Sequence, residues 1–160
     1  MLRGLIPLAL ALGFLGCSGE EEIEELKQYV SQIQAFHHYN QKMEDFIVQF
    51  DDPSRELVVG DILASRKLLD EYHAAVAAVA LPSETALKNA HRLYVRSFDD
   101  SKRLARDETG DLRRQAHSVV IGLRRLRTVI ADRFYPSIEV LLARKNLAGD
   151  TYNLFWPEHD

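Results

Sequence analysis

Six histidines and one cysteine are the side chains of this 160-residue chain whose chemistry could go beyond packing and charge. His73 and His91 stand nine residues either side of Pro82. If the chain turns at Pro82 between two helices, their imidazoles fall at one height. A metal ion needs three or four ligands, and the same height on the other helices is expected to hold Ser31 and Thr128 or Val129, with no carboxylate, imidazole or thiolate. His117 is expected about a dozen residues, about 18 Å, from the height of His91. His37 and His38 are consecutive, so on a helix they point about 100° apart and do not chelate together. His73 and His91 are therefore the metal candidates, and the expectation is that no metal or other cofactor is bound.

Known chemical signatures are missing. A di-iron bundle needs Glu-x-x-His pairs, but Asp70, Lys88 and Arg114 occupy the positions three before His73, His91 and His117. No C-x-x-C-H, H-E-x-x-H, G-x-S-x-G, G-x-G-x-x-G or G-K-[ST] pattern occurs. The expectation is a protein that is not an enzyme.

Arg124, Arg125 and Arg127 form the densest basic cluster and are the candidates for gripping an anionic ligand, such as a lipid headgroup or an anionic glycan. Charge is unevenly spread. Residues 18–61 carry 3 basic and 11 acidic side chains, and residues 62–148 carry 16 and 10. In an up-and-down bundle the first and fourth helices are neighbours, so an acidic first helix beside Arg113, Arg114, Arg124, Arg125, Arg127 and Arg133 accounts for the asymmetry without a ligand. A net charge of -4 argues against nucleic acid as a partner.

The elements that must position these residues are helices. Apolar residues recur at three- and four-residue steps. A first helix is expected over about residues 20–50, with Ile23, Leu26, Val30, Ile33, Phe36, Met43, Ile47 and Phe50 on one stripe. His37 and Asn40 interrupt that stripe, as a polar pair that sets register in a core would. Asp51-Asp52-Pro53-Ser54 breaks it.

A second helix over about 54–80 presents Val58, Ile62, Leu69, Tyr72, Val76 and Val79. The third, about 82–108, begins on Pro82 with Glu84 as helix-start chemistry and turns Leu87, Ala90, Tyr94, Phe98, Ser101, Leu104 and Ala105 inward. Gly110 fits its C-terminal position and Asp111 the N-cap of the next. The fourth runs from about 112 through Leu112, Ala116, Val119, Leu123, Leu126, Ile130 and Phe134, and Pro136 must end or kink it. Ser137 to Ala148 is periodic again.

Short joins make neighbouring helices antiparallel. The fold class is all-α: an antiparallel up-and-down four-helix bundle with a Pro-kinked last helix, coiled-coil-like in its packing, and a short C-terminal tail. Tyr152, Phe155 and Trp156 make that tail too aromatic to hang free. It is expected to cover one end of the bundle.

The one cysteine is explained by the amino terminus. Met1-Leu2-Arg3-Gly4 is a short basic start, followed by about eleven mostly apolar residues and then Gly16-Cys17. This is the layout of a secretory signal, well short of the roughly 20 residues that span a bilayer. Phe14-Leu15-Gly16-Cys17 resembles the lipobox of bacterial lipoproteins, with Phe14 where that pattern usually has an aliphatic residue.

The resemblance implies removal of residues 1–16 and acylation of Cys17 as the first mature residue. It thereby leaves 144 residues, anchored through two or three acyl chains to a membrane they do not cross. Ser18 at the second mature position is similar to lipoproteins sent to the outer membrane, facing the periplasm. The following EEE run resembles surface-export signals, which would place the chain on the cell surface. The pattern of Pro82, Glu84 and His91 also resembles that of uncharacterised helical bacterial lipoproteins, from which no function transfers.

The expected organisation is a signal over 1–16, an acidic lipid-anchored spacer over 17–22, a helical bundle over 23–148 and an aromatic tail over 149–160. The expected function is non-catalytic binding or scaffolding in the cell envelope with another envelope protein as partner. The alternative is a periplasmic bundle holding a metal, haem or small ligand. A homodimer is a further possibility, because long amphipathic helices pair as well between chains as within one.

Overall fold

The computed structural model describes residues 18–107, 109–147, 154, 156 and 157. The signal, Cys17 and most of the tail lie outside these. The described chain forms four helical rods. The first consists of α1 (Ser18–Gln34) and α2 (His37–Asp51), the second of α3 (Val59–Ala77) and the third of α4 (Thr85–Leu104). In the fourth, α5 (Leu112–Val129) passes through a π-helical turn (Ile130–Phe134) into α6 (Tyr135–Arg144). This is an antiparallel four-helix bundle. Among the described residues no helix is long and apolar enough to cross a membrane.

The expected stripes form the core. Leu26, Val30 and Ile33 of α1, Met43 and Ile47 of α2, Ile62, Leu69, Tyr72 and Val76 of α3, and Leu87, Tyr94 and Phe98 of α4 are buried together. Leu123 and Leu126 of α5, Ile130, Phe134 and Ile138 complete the set. Each such side chain contributes about 1.5–3 kcal/mol by leaving water. Two stripe residues are exposed: Val58 precedes α3 and is 46% exposed, and Leu104 turns outward at 40%, because Ala105 occupies the contact with α5.

That contact is unusually close. A Cβ on Gly122 would stand 2.6 Å from the Ser101 carbonyl oxygen and 3.1 Å from the Ala105 Cβ. Small residues make it possible, with Ser97 and Ser101 satisfying their hydroxyls on their own helix, at the carbonyls of Tyr94 and Ser97.

Helix ends differ from the sequence reading in instructive ways. The first helix breaks at Ala35-Phe36, where Phe36 leaves the helical ladder and the Nδ1–H of His38 donates to the freed Ala35 carbonyl at 2.8 Å. Pro82 does not open α4. It is buried in the join, and Glu25 of α1 instead accepts from the Ser83 amide and hydroxyl, both at 2.6 Å. Gly110 lies beyond α4 and is not left-handed. The carbonyls at the end of α4 are met instead by the Arg66 guanidinium, at Ala105 and Asp107, a favourable place for a cation.

Asp111 caps α5 as expected, accepting from the amides of Arg113 and Arg114. The α6 terminus is a Schellman turn on Asn146, whose φ is 56°, with Leu147 N–H reaching the Leu142 carbonyl.

Pro136 has no amide to donate and its ring crowds the carbonyl four residues back. The chain answers just before it: the Tyr135 amide donates to Ile130, five residues away, which widens the turn that admits the ring. The acidic residues expected as a spacer are already helical from Ser18 onward, and Glu22 pairs with Lys145 beyond the end of α6.

Candidate functional site

The polar centre of the bundle is built from one residue of each rod. Asn40 of α2 donates through Nδ2 to the Tyr135 hydroxyl of α6 at 2.6 Å, and Tyr72 of α3 donates to Asn40 Oδ1 at 2.8 Å. Tyr94 of α4 is hydrogen-bonded to the Tyr72 hydroxyl. All four residues are buried.

Burial raises the hydroxyl pKa values of Tyr72 and Tyr94 well above the phenol range and pushes Tyr135 up to about 12, so all three stay protonated at neutral pH. Aromatic rings close the surroundings: Tyr39 stacks on Tyr72 at 4.7 Å and Phe134 on Tyr94 at 4.2 Å. The volume where a bundle would hold a cofactor is occupied by these rings. Of the polar pair expected on the stripe, Asn40 is buried in the core, whereas His37 is exposed. Tyr135 was not singled out in the sequence, and its place before Pro136 was the available signal.

The metal candidates do not converge. His73 stacks on Phe98 at 5.2 Å. Its Nδ1 accepts from Lys102 Nζ at 2.8 Å, and that ammonium also pairs with Asp70 at 2.8 Å. His91 is 2% exposed, with Nδ1 3.0 Å from the Tyr29 hydroxyl of α1.

The expectation that both share one height fails because α4 is staggered along α3, which sets Phe98 rather than His91 against His73. Phe98, level with His73, is seven residues past His91, about 10 Å of helix. Burial lowers the pKa of both imidazoles, and for His73 the neighbouring Lys102 charge adds to this. Among the described residues no group of three or more His, Cys, Asp or Glu is placed to hold a metal ion.

The anion candidates divide. Arg124 pairs with Asp51, and Arg127 reaches Glu44 Oε1 at 2.8 Å. Both partners belong to α2, as the charge asymmetry anticipated. Arg125 is exposed and makes no ion pair with a described residue. Glu44, only 6% exposed, accepts a second hydrogen bond at Oε2 from the Trp156 indole at 2.9 Å. This joint was missed, although Glu44 lies on the apolar stripe between Met43 and Ile47. It fastens the tail, where Leu154 and Trp156 are buried in the core cluster.

Two surface concavities are lined by described residues. A groove of about 700 Å³ lies between the α2–α3 connection and the start of α5, with Phe50, Leu57, Leu112 and Val120 in its lining, Glu56 on one wall, and Arg113 and His117 on the other. It sits at the end of the bundle opposite Ser18, since α1 and α2 together carry the chain along about 50 Å of helix. A smaller pocket of about 260 Å³, between the end of α3 and α4, is lined by Ala77, Leu81, His91, Arg92, Val95 and Arg96. Comparison with protein-family models, with curated proteins and with solved structures finds no match for this chain.

Proposed function

We propose that this chain is a cell-envelope lipoprotein of binding or scaffold type, without catalysis of its own, held to the outer membrane through acyl chains on Cys17 and facing the periplasm. The groove at the opposite end of the bundle receives another envelope protein. The observation that carries this reading is directional: the chain is already helical at Ser18, the residue after Cys17, and the 700 Å³ groove lies at the far end of the rod.

An anchor joined directly to a helix holds that groove away from the bilayer, out of reach of the headgroups of the anchoring membrane. The interior supports a surface role as well, because its polar groups are engaged with one another.

Intact-protein mass spectrometry of the membrane fraction tests the anchor. Acyl mass on a mature chain beginning at Cys17, absent in Cys17→Ala, is the expected result, and an unmodified thiol refutes it. A photo-crosslinker at Ile121 in the groove, compared with one at Val140 outside it, tests the docking. Both positions are exposed, at 41% and 50%, so capture of one envelope protein from Ile121 alone is expected, and equal capture from both overturns the groove assignment.

A further inference from the structure

We infer that the pocket beside His91 binds an anionic amphiphile, a carboxylate or phosphate head on a single short apolar chain. Its lining shares no residue with the groove. The lining has the composition of a small-molecule site, an apolar surface with a few convergent polar groups: Ala77, Leu81 and Val95 supply the first, and His91, Arg92 and Arg96 the second. Every charged group in it is a cation.

Arg92 and Arg96 lie one helical turn apart on α4, are exposed and make no ion pair or hydrogen bond to a described residue. Guanidinium groups so placed present planar forks suited to a carboxylate or phosphate. Arg124 and Arg127, by contrast, already hold Asp51 and Glu44, so the anion site moves from α5 to α4.

His91 completes the pocket. Its ring is held edge-on to Tyr29, with Nδ1 engaged by the phenol. When Tyr29 donates to Nδ1, the imidazole proton is on Nε2, and the nitrogen left for a ligand is a donor. An amphiphile then lays its chain over Leu81 and Val95 and its head between the two arginines. A cationic head of the same length meets only like charge.

The full chain in its own membranes is photolabelled with a ten-carbon carboxylate bearing a diazirine near its tail, and the label is located by peptide mass spectrometry. Label on the segments containing Leu81 and Val95, displaced by decanoate and untouched by decyltrimethylammonium, is expected. Arg92→Glu combined with Arg96→Glu lowers it about tenfold or more while helical circular dichroism is unchanged. Ala77→Trp, which fills the pocket without altering its charge, also removes it.

Displacement by decanoate but not decyl phosphate identifies a fatty carboxylate as the ligand, and displacement by both identifies a head chemistry shared with phospholipids. Labelling spread equally over the exposed Leu93, Leu104 and Val140, labelling undiminished in the double variant, or equal displacement by the cationic amphiphile overturns the inference.

Discussion

Gly122 and Gly60 are both helical glycines, yet replacing each by alanine is expected to move stability in opposite directions. In a helix interior the exchange gains up to about 1 kcal/mol from propensity alone. Gly60 has nothing within 4 Å of an added Cβ, so that gain stands, reduced because the residue lies in the first turn of α3.

At Gly122 the added carbon would stand 2.6 Å from the Ser101 carbonyl oxygen and 3.1 Å from Ala105. The obstacle is backbone and cannot rotate away, so α4 and α5 must part. Overpacking of this kind costs about 1–3 kcal/mol. The steric cost outweighs the propensity gain, leaving a net loss of up to about 2 kcal/mol, or a fall in melting temperature of up to about 8 °C at the 2–4 °C per kcal/mol usual for chains near this size. Urea and thermal unfolding followed by circular dichroism read both variants. A rise for Gly122→Ala equal to that of Gly60→Ala would mean that α4 and α5 are not in backbone contact, and the packing argument would fail with it.

Three further outcomes test the polar core, the tail and the histidines. Asn40→Ala strands the Tyr135 hydroxyl and opens a void, at an expected cost of about 2–4 kcal/mol in urea unfolding. A loss below about 0.5 kcal/mol would show that the tyrosines re-pair without it. Trp156→Ala removes a buried ring and one of the two donors to Glu44, costing about 3–5 kcal/mol, whereas a docking tail that merely touches the bundle would leave unfolding unchanged.

His73 and His91 have folded-state pKa values below the ordinary 6.5, so the unfolded chain takes up protons first. Their contribution is complete above pH 6.5 and is lost as pH falls below it. Unfolding free energy should therefore drop between pH 7 and 5.5, less steeply in His91→Phe, and a flat profile contradicts the burial of these imidazoles.

The four rods and nearly all of the core were legible because burial on one side of a helix leaves a 3.6-residue trace. Asn40 was legible for the same reason, as a polar residue where the trace demanded an apolar one. Asp111 announced itself as a cap. The break at Ala35-Phe36 was not legible, since no proline or glycine marks it and the freed carbonyl is met by His38.

A turn at Pro82 would set His73 and His91 opposite each other. The residues between Ala77 and Thr85 form a longer join tied to Glu25, and that contact comes from a helix distant in sequence. Arg92 and Arg96 escaped attention for an analogous reason. A cluster such as Arg124, Arg125 and Arg127 is dense in sequence, but only spatial pairing reveals that two of its members are already occupied while two less conspicuous arginines are not.

The π turn before Pro136 has an angular consequence. Its hydrogen bond spans five residues where an α-helix spans four, so it acts like a one-residue insertion that rotates everything after it by about 100° relative to an unbroken α-helix. The azimuth of Ile138, Leu141 and Leu142, which now point into the core, is thus tied to the π turn from Ile130 to Phe134. Keeping all five in a regular α-helix would turn Glu139 and Val140 toward the position their apolar neighbours hold, whereas losing one residue together with the π turn would leave Ile138, Leu141 and Leu142 facing the core. The connection from Asp52 to Val58 can change length without such a penalty, because no helix carries its phase across it. The last rod has no such freedom: there the number of residues and the type of turn must change together to hold the phase.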